Sequence, residues 1–460
     1  MNDNASDRVR SFSYPKTFLL GFGFMGVSLI WAMYNAFVPI FLKGFAISSV
    51  LIGFIMTFDN ILAVILQPYI GFLSDNTMTK IGKRKPFILI GAPVGALFFL
   101  LIPFVRDIGL FWMLAVIIVM NIAMAIFRSP VIALMPDIVP SLHRSKANGV
   151  INFMGGFGSL LAFFVGGILF DIQPSIPFIA AAGALIISSS LVLFFIKEPR
   201  LKPDRTLYED IPEPSRKVKK REKVGFSDAF TSLFKALRDI FTGENKSELF
   251  ILLAIFFWFS GFGTLETFFT IYGTQYLEVT PGNASIALGL FSLTFMIFAI
   301  PAGFIGSKAG RKKTIISGLL ILIIAIFVIS MINITNARNY INTLDIIHLI
   351  PRTREFGLVM AMLIIGGIGW ACININSLPM VVDMVEENKV GGHTGLYYFF
   401  SMMASIVAPP LVGAVIDMLS YPSMIKFSVL AFTAALICVF FVTKGEAKEQ
   451  DTVHKQKGMA

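Results

Sequence analysis

The chain has 460 residues, of which 56% are hydrophobic and only 14% charged, and its mean hydropathy is +0.78. This is more apolar material than a soluble core requires, and it is typical of a membrane protein with many spans. The formal charge of +10 is concentrated in loops, which favours membrane topology over a nucleic-acid partner. Cys372 and Cys438 both lie inside apolar runs, so no disulfide framework or metal site is indicated.

Apolar runs of about 20 residues are long enough to cross a hydrocarbon core roughly 30 Å thick. Such runs recur along the chain and are separated by short polar segments. An even number of spans places both termini on the same side. We predict twelve spans at 17–42, 47–70, 86–105, 109–136, 147–170, 176–196, 248–276, 284–306, 314–333, 356–382, 394–418 and 424–443.

The distribution of cations predicts which side the termini occupy. Most of the 38 Lys and Arg residues fall in segments that share a side with both termini. Lys and Arg in short loops resist translocation, so we expect both termini in the cytoplasm of a multi-pass protein of the cell membrane. The opposite loops contain Lys43, Arg106, Arg338, Arg352 and Arg354.

The second half of the chain repeats the first. An offset of 246 residues places Asp137 on Asp383 and Asp171 on Asp417. Two six-helix halves predict a substrate site between them, near the middle of the membrane. We therefore divide the chain into a first bundle (1–196), a cytoplasmic linker containing an amphipathic helix (197–247), a second bundle (248–443) and a cytoplasmic tail (444–460).

The loop after the second span has a distinctive pattern, QPYIGFLSDNTMTKIGKRKPF, at residues 67–87. It contains Gly71 and Asp75, followed by a basic cluster around Arg84. This spacing resembles the loop between the second and third helices of the major facilitator superfamily of transporters. A second copy, GFIGSKAGRKK, begins at Gly303 and has Ser307 where the first copy has the acid.

Three segments resemble the sucrose/proton symporters and the glycoside–pentoside–hexuronide:cation symporter group: residues 65–88, PVIALMPDI at 130–138, and HRSKAN at 143–148. The resemblance implies an all-α integral membrane fold with two pseudo-symmetric six-helix bundles. It also implies sugar transport coupled to a cation. Asn121 departs from the pattern, because the plant sucrose carriers have an aspartate there that is implicated in proton coupling. Ile132 replaces one of their arginines, and Arg128 occurs one helical turn earlier.

Charges inside the membrane are costly and usually functional, so Asp59, Arg128 and Glu266 are the candidates for ion coupling. We hypothesise that Asp59 and Arg128 form a pair that weakens when Asp59 takes up a proton or cation. A static pair that fixes helix packing is the alternative. Glu266 is expected to receive the coupling ion, to bind a sugar hydroxyl, or to face the outer vestibule.

A sugar site needs aromatic faces together with amide or hydroxyl groups. Residues of both kinds cluster in the central spans, although each one alone is also explained as helix packing or as an interfacial aromatic. The substrate-binding candidates are Trp31, Tyr34, Asn35, Asn121, Asn152, Trp258, Trp370, Asn374 and Tyr397.

Charged residues at the cytoplasmic ends of the spans suggest ion pairs of an inner gate, because surface charges need no substrate to explain them. A glycine in this set would allow close helix contact. The members are Gly71, Asp75, Arg84, Asp137, Arg144 and Asp383.

The leading interpretation is symport of a sugar or glycoside with H⁺ or Na⁺ by a monomer in a lipid bilayer. Proton-coupled efflux of drugs or metabolites is the alternative, although the glycine-rich fifth span lacks the Gly-Pro pair usual in that branch. A membrane sensor is a third possibility, but the linker has no recognisable signalling domain. The sequence has no phosphate loop, nucleophile elbow or metal cluster, so we expect neither an enzyme nor a cofactor beyond the coupling ion.

Overall fold

The computed structural model describes residues 13–139, 144–198, 246–332, 354–384 and 390–443. Over these residues it contains no strand, and twelve helices are long and apolar enough to span a membrane. The predicted linker helix and the tail lie outside the described residues. The helices are α1 Tyr14–Gly44, α2 Ser49–Asn76, α3 Lys85–Val105, α4 Leu110–Ile138, α5 Arg144–Ile172, α6 Ile176–Phe195, α7 Ser247–Gln275, α8 Pro281–Ala309, α9 Arg311–Ser330, α10 Arg354–Asp383, α11 Val390–Leu419 and α12 Pro422–Phe440.

The twelve predicted spans are confirmed, but the predicted end of α2 at residue 70 is wrong. The helix continues to Asn76 because its polar side chains bond to its own backbone. Ser74 donates to the carbonyl of Gly71, and Asn76 and Thr77 donate to the carbonyls one turn before them. At the end of a helix such donors can reach carbonyls that lack a backbone partner, in a polar turn that hydropathy alone assigns to the loop.

Successive helices alternate in direction, so the molecule has two faces. We call the face that holds the start of α1 and the end of α12 the terminal face, and the opposite one the distal face. Both halves use the same packing: α1 lies against α5 and α6, α3 against α4 and α6, and α2 against α4. The second half repeats this with α7 against α11 and α12, α9 against α10 and α12, and α8 against α10. The internal repeat is therefore visible in the packing.

Large apolar side chains cover the outside of the bundle. Phe111, Phe194 and Ile324 are among the well-exposed residues of this kind. Such side chains are costly in water but suit the hydrocarbon region of a bilayer. The core between the helices is equally apolar and contains many fully buried aromatic residues.

Among the described residues, the two halves meet mainly along three contacts between helices. In the outer two, α2 packs against α11 and α5 packs against α8, while α1 and α7 meet between them. Hydrogen bonds across these contacts lie at the distal face and in the middle of the membrane. The predicted site between the halves therefore lies beneath a closed distal face.

Candidate functional site

A polar cluster lies where α1, α2, α4 and α7 approach each other. Asn35 on α1 donates a hydrogen bond from Nδ2 to Oε1 of Glu266 on α7, over 2.9 Å. This bond joins the two halves of the chain. Both residues lie nine positions from the distal ends of their helices, which is about 14 Å into the membrane at 1.5 Å per residue.

Asp59 and Arg128 belong to the same cluster. Asp59 lies within electrostatic range of both Arg128 and Glu266. It is half-buried and accepts a hydrogen bond of 2.9 Å from the side chain of Asn60. Among the described residues Asp59 and Arg128 form no direct salt bridge, so the hypothesised pair is separated in this conformation. Its role in coupling stays a prediction.

The local backbone explains why a carboxylate is tolerated at Asp59. The α2 helix is interrupted by a single turn residue, Thr57, and a new helical segment begins at Phe58. Asp59 therefore lies in the first turn of that segment, where the unpaired N–H groups carry partial positive charge. Hydropathy does not reveal this interruption, since Met56 and Phe58 on either side of Thr57 are both apolar.

Several buried polar atoms beside the cluster lack partners among the described residues. They are Nε1 of Trp31, the hydroxyl of Tyr34 and both side-chain polar atoms of Asn121. The rings of Trp31 and Tyr34 meet edge to face at 5.6 Å, and Asn121 lies near the Tyr34 hydroxyl. Buried polar groups are nearly always paired, so this group of donors and acceptors is suited to a polar ligand.

The second half contributes an aromatic wall. Phe262 stacks on Trp370 at 4.3 Å with the ring planes 6° apart, and Phe259 meets Trp370 edge to face. The hydroxyl of Tyr397 lies 3.0 Å from that of Ser377. Sequence reasoning missed Phe259 and Phe262. Their spacing from Glu266, at seven and four residues, was the available signal because it places all three on one helix face.

Other substrate candidates lie in different surroundings. Trp258 is fully buried, on the α7 face where Gly261 packs against Phe432 of α12. Asn152 is exposed on α5, and Asn374 is half-buried on α10. The structure thus brings Trp31, Tyr34, Asn35 and Asn121 to the charged cluster, and gathers Trp370 and Tyr397 into the aromatic wall.

The gate candidates form ion pairs at the terminal face. Arg84 is almost fully buried and bonds to Asp75, to Ser74 and, over 3.0 Å, to Asp137. Lys83 also pairs with Asp137 at 3.0 Å. A Cβ at Gly71 would meet the hydroxyl oxygen of Ser129 on α4 at 3.3 Å, so this glycine does allow close helix contact.

The second half has a matching pair, since Arg311 bonds to Asp383 and to the carbonyl of Pro379. Each of these pairs stays within one half and connects a loop or helix start to the end of α2, α4 or α10. The side chain of Arg144 lies outside the described residues. The pairs therefore brace each bundle in this conformation and do not bridge the two halves.

Sequence reasoning also missed Glu198, which follows α6. Its carboxylate accepts hydrogen bonds from the backbone N–H groups of Lys83, Arg84 and Lys85 at the start of α3. It thereby satisfies donors that a helix start leaves unpaired. The signal was weak, because Glu198 lies more than a hundred residues away along the chain.

Comparison with known proteins identifies the class. The family profile of the Major Facilitator Superfamily matches residues 20–341 and 274–458. An uncharacterized MFS-type transporter of Methanocaldococcus jannaschii is 22% identical over 450 residues, covering 95% of this chain and 97% of that protein. The chain belongs to the Major Facilitator Superfamily and is a multi-pass membrane transporter of a small molecule, not an enzyme.

Relatives with more specific names match shorter stretches. The class H tetracycline resistance protein of Pasteurella multocida is 26% identical over 279 residues, which cover 58% of this chain and 60% of that protein. The sucrose transport protein SUC3 of Arabidopsis thaliana is 26% identical over 167 residues, covering 31% of this chain and 27% of that protein. This chain therefore spans only part of both relatives in the matched regions.

Solved structures support the fold. A mutant of the nucleoside transporter NupG superposes with a TM-score of 0.71 at 14% identity, covering 93% of this chain and all of that one. A bacterial homologue of the lysosomal transporter Spinster, in an inward-facing unoccupied state, superposes with a TM-score of 0.63 at 14% identity. That match covers 94% of this chain and 95% of the other. At these identities the likeness concerns the fold alone.

Proposed function

We propose that the protein is a secondary active transporter that couples entry of a sugar or glycoside to entry of H⁺ or Na⁺ by alternating access. The observation that supports this most directly is the composition of the central cluster. It combines two carboxylates and one arginine with buried amide, hydroxyl and indole groups that have no partner among the described residues. Carboxylates suit a cation, and the neutral groups suit a polyhydroxylated ligand.

In this proposal the cluster has two working parts. Asp59 and Glu266 bind the coupling cation, with Arg128 as the positive charge that takes over when the cation leaves. Tyr34 and Asn121 hydrogen-bond sugar hydroxyls, and the Phe262–Trp370 stack provides an apolar face for a pyranose ring. Because the Asn35–Glu266 bond crosses between the halves, a ligand in the cluster contacts both moving bodies at once.

The proposed orientation places the terminal face in the cytoplasm of a cell membrane, since Lys and Arg are concentrated on that side. In this orientation the face that Asp171 and Asp417 hold closed is the outer one. We further propose that the transporter works as a monomer in the bilayer, because each chain contains both halves of the site.

Export is the second candidate, and the identity to the tetracycline resistance protein of Pasteurella multocida favours it. The same carboxylates would then exchange a proton for a metabolite or drug. The stretch matched in SUC3 and the amide-rich cluster favour sugar entry.

Transport by the purified protein in proteoliposomes tests the proposal. Labelled sucrose, maltose and trehalose are offered with proton and sodium gradients imposed separately. Accumulation driven by one gradient is the expected result and identifies the ion. If neither gradient drives accumulation of any of these sugars, sugar symport is refuted. Gradient-driven extrusion of tetracycline in the same vesicles would support export.

A further inference from the structure

The distal face is held closed by two carboxylates that occupy equivalent places in the repeat. Asp417, near the distal end of α11, accepts hydrogen bonds from the backbone N–H groups of Ser49 and Val50 at the start of α2, over 2.8 and 3.1 Å. Asp171, near the distal end of α5, accepts from the N–H of Gly282 over 2.9 Å and from the hydroxyl of Thr280 over 2.6 Å. Each aspartate thus binds a helix start in the other half.

The two arrangements follow one design. An offset of 246 residues carries Asp171 onto Asp417, and an offset of 232 carries the start of α2 onto the start of α8. Both helix starts have their own cap, since Ser48 accepts from the N–H of Leu51 and Thr280 from that of Asn283. The one difference has a simple cause: Pro281 has no N–H, so Asp171 takes the Thr280 hydroxyl instead.

Behind each aspartate the helices touch along their backbones. Gly413 of α11 lies against the backbone of Ser49, and Gly167 of α5 lies against the carbonyl of Gly282. Deeper in the α5–α8 contact, the hydroxyl of Ser285 donates to the carbonyl of Phe163, which lies in a π-helical segment of α5. The matching position on α11 is Pro409. Pro409 has no N–H to donate within α11, so regular α-helical hydrogen bonding is interrupted at the same level in both helices.

We propose that Asp171 and Asp417 are paired latches that hold the distal face closed and set the balance between the two states of alternating access. Each carboxylate satisfies N–H groups that the start of a helix leaves unpaired and lies at the positive end of that helix. Opening the distal face breaks both latches together, because each half moves as a packed bundle. The latch therefore acts on the conformational equilibrium and not on substrate chemistry. The proposal rests on alternating access as proposed above. It does not depend on the identity of the substrate or on the orientation of the protein in the membrane.

A buried reporter on one contact tests whether the latches act together. Ile286 on α8 is 3% exposed and lies against Gly167 in the α5–α8 contact. In detergent-purified protein with Cys372 and Cys438 changed to alanine, Ile286→Cys is labelled by a water-soluble maleimide only when the distal face opens. Asp171→Asn and Asp417→Asn are each expected to increase the labelling rate about tenfold, and the double variant more.

The informative variant is Asp417→Asn, because it alters the α2–α11 contact while the reporter lies in the α5–α8 contact. Asp107→Asn is the matched control: it removes a distal-face carboxylate that is 80% exposed and pairs with the adjacent Arg106. Thr280→Val, which keeps both aspartates, should accelerate labelling as Asp171→Asn does. The proposal is overturned if Asp417→Asn labels at the control rate, since the contacts would then loosen independently. It is also overturned if none of the variants accelerates labelling.

Discussion

Adding one methyl group at Gly53 should shift the protein towards the state with an open distal face. A Cβ built on Gly53 lies 2.5 Å from the carbonyl carbon of Pro409 and 2.8 Å from the nitrogen of Pro410. Carbon atoms prefer separations of about 3.5–4.0 Å, so the helices would have to part by roughly 1 Å. The obstructing atoms are backbone atoms of α11, which cannot rotate away as a side chain does.

The expected cost follows from that overlap. Overpacking a well-packed contact costs typically about 1–3 kcal/mol, which corresponds to roughly a 5- to 150-fold shift in the equilibrium. The penalty applies only to the closed distal face, so the open state gains in population. Gly53→Ala should therefore accelerate maleimide labelling of Ile286→Cys by a factor in this range.

Gly183→Ala is the matched control. It makes the same substitution inside a membrane helix, but a Cβ there meets no described atom within 4 Å. It should leave the labelling rate unchanged, and by removing a helical glycine it should slightly stabilise the protein. Equal labelling rates for the two alanine variants would show that the α2–α11 contact does not close as tightly as described here.

Three further outcomes are expected. Asp59→Asn should abolish uphill accumulation in proteoliposomes while sparing exchange, because an amide cannot gain and lose a proton or hold a cation as a carboxylate does. Full accumulation by this variant would contradict the prediction. Asp107→Asn serves as the control. Arg84→Gln should destabilise the detergent-solubilised protein by about 2 kcal/mol, because it removes a buried cation that bonds to Asp75, Ser74 and Asp137. Lys80→Gln makes an equal charge change on an exposed residue of the same loop, and it should alter the free energy of unfolding by no more than about 0.5 kcal/mol. If the two variants give similar thermal unfolding curves, the prediction is refuted. Trp370→Leu should raise the transport KM for the sugar roughly 2- to 10-fold, because it removes the aromatic face. Trp370→Phe should keep most of the binding affinity. An unchanged KM for the leucine variant would show that the Phe262–Trp370 stack is not part of the sugar site.

The fold was predictable because its signals are local. Each span is long and apolar enough to be recognised by itself, and the repeat could be read from Asp137 and Asp383 without knowledge of packing. The motif loop likewise identified the residues around Arg84, whose pairing with Asp137 the structure describes. The end of α2 was missed because polar side chains there bond to their own helix.

The candidate site was predictable as a set of residues but not as an arrangement. Intramembrane charge singles out Asp59, Arg128 and Glu266 wherever they pack. The partner of Glu266 is Asn35, which lies 231 residues away along the chain and in the other half. Phe259 and Phe262 look like ordinary apolar residues of α7, and only their contacts with Trp370 distinguish them.

The sequence by itself determined the number of spans, the twofold repeat and the charged residues that lie inside the membrane, since hydropathy and charge are properties of short segments. The tertiary structure decided which of those residues meet, because contacts between the halves depend on how two rigid bundles pack. Asp417 illustrates the division. The repeat marks it as the counterpart of Asp171, but its hydrogen bond to Ser49 joins residues 368 positions apart. That bond exists only because α2 and α11 approach closely at their glycines in the closed distal face.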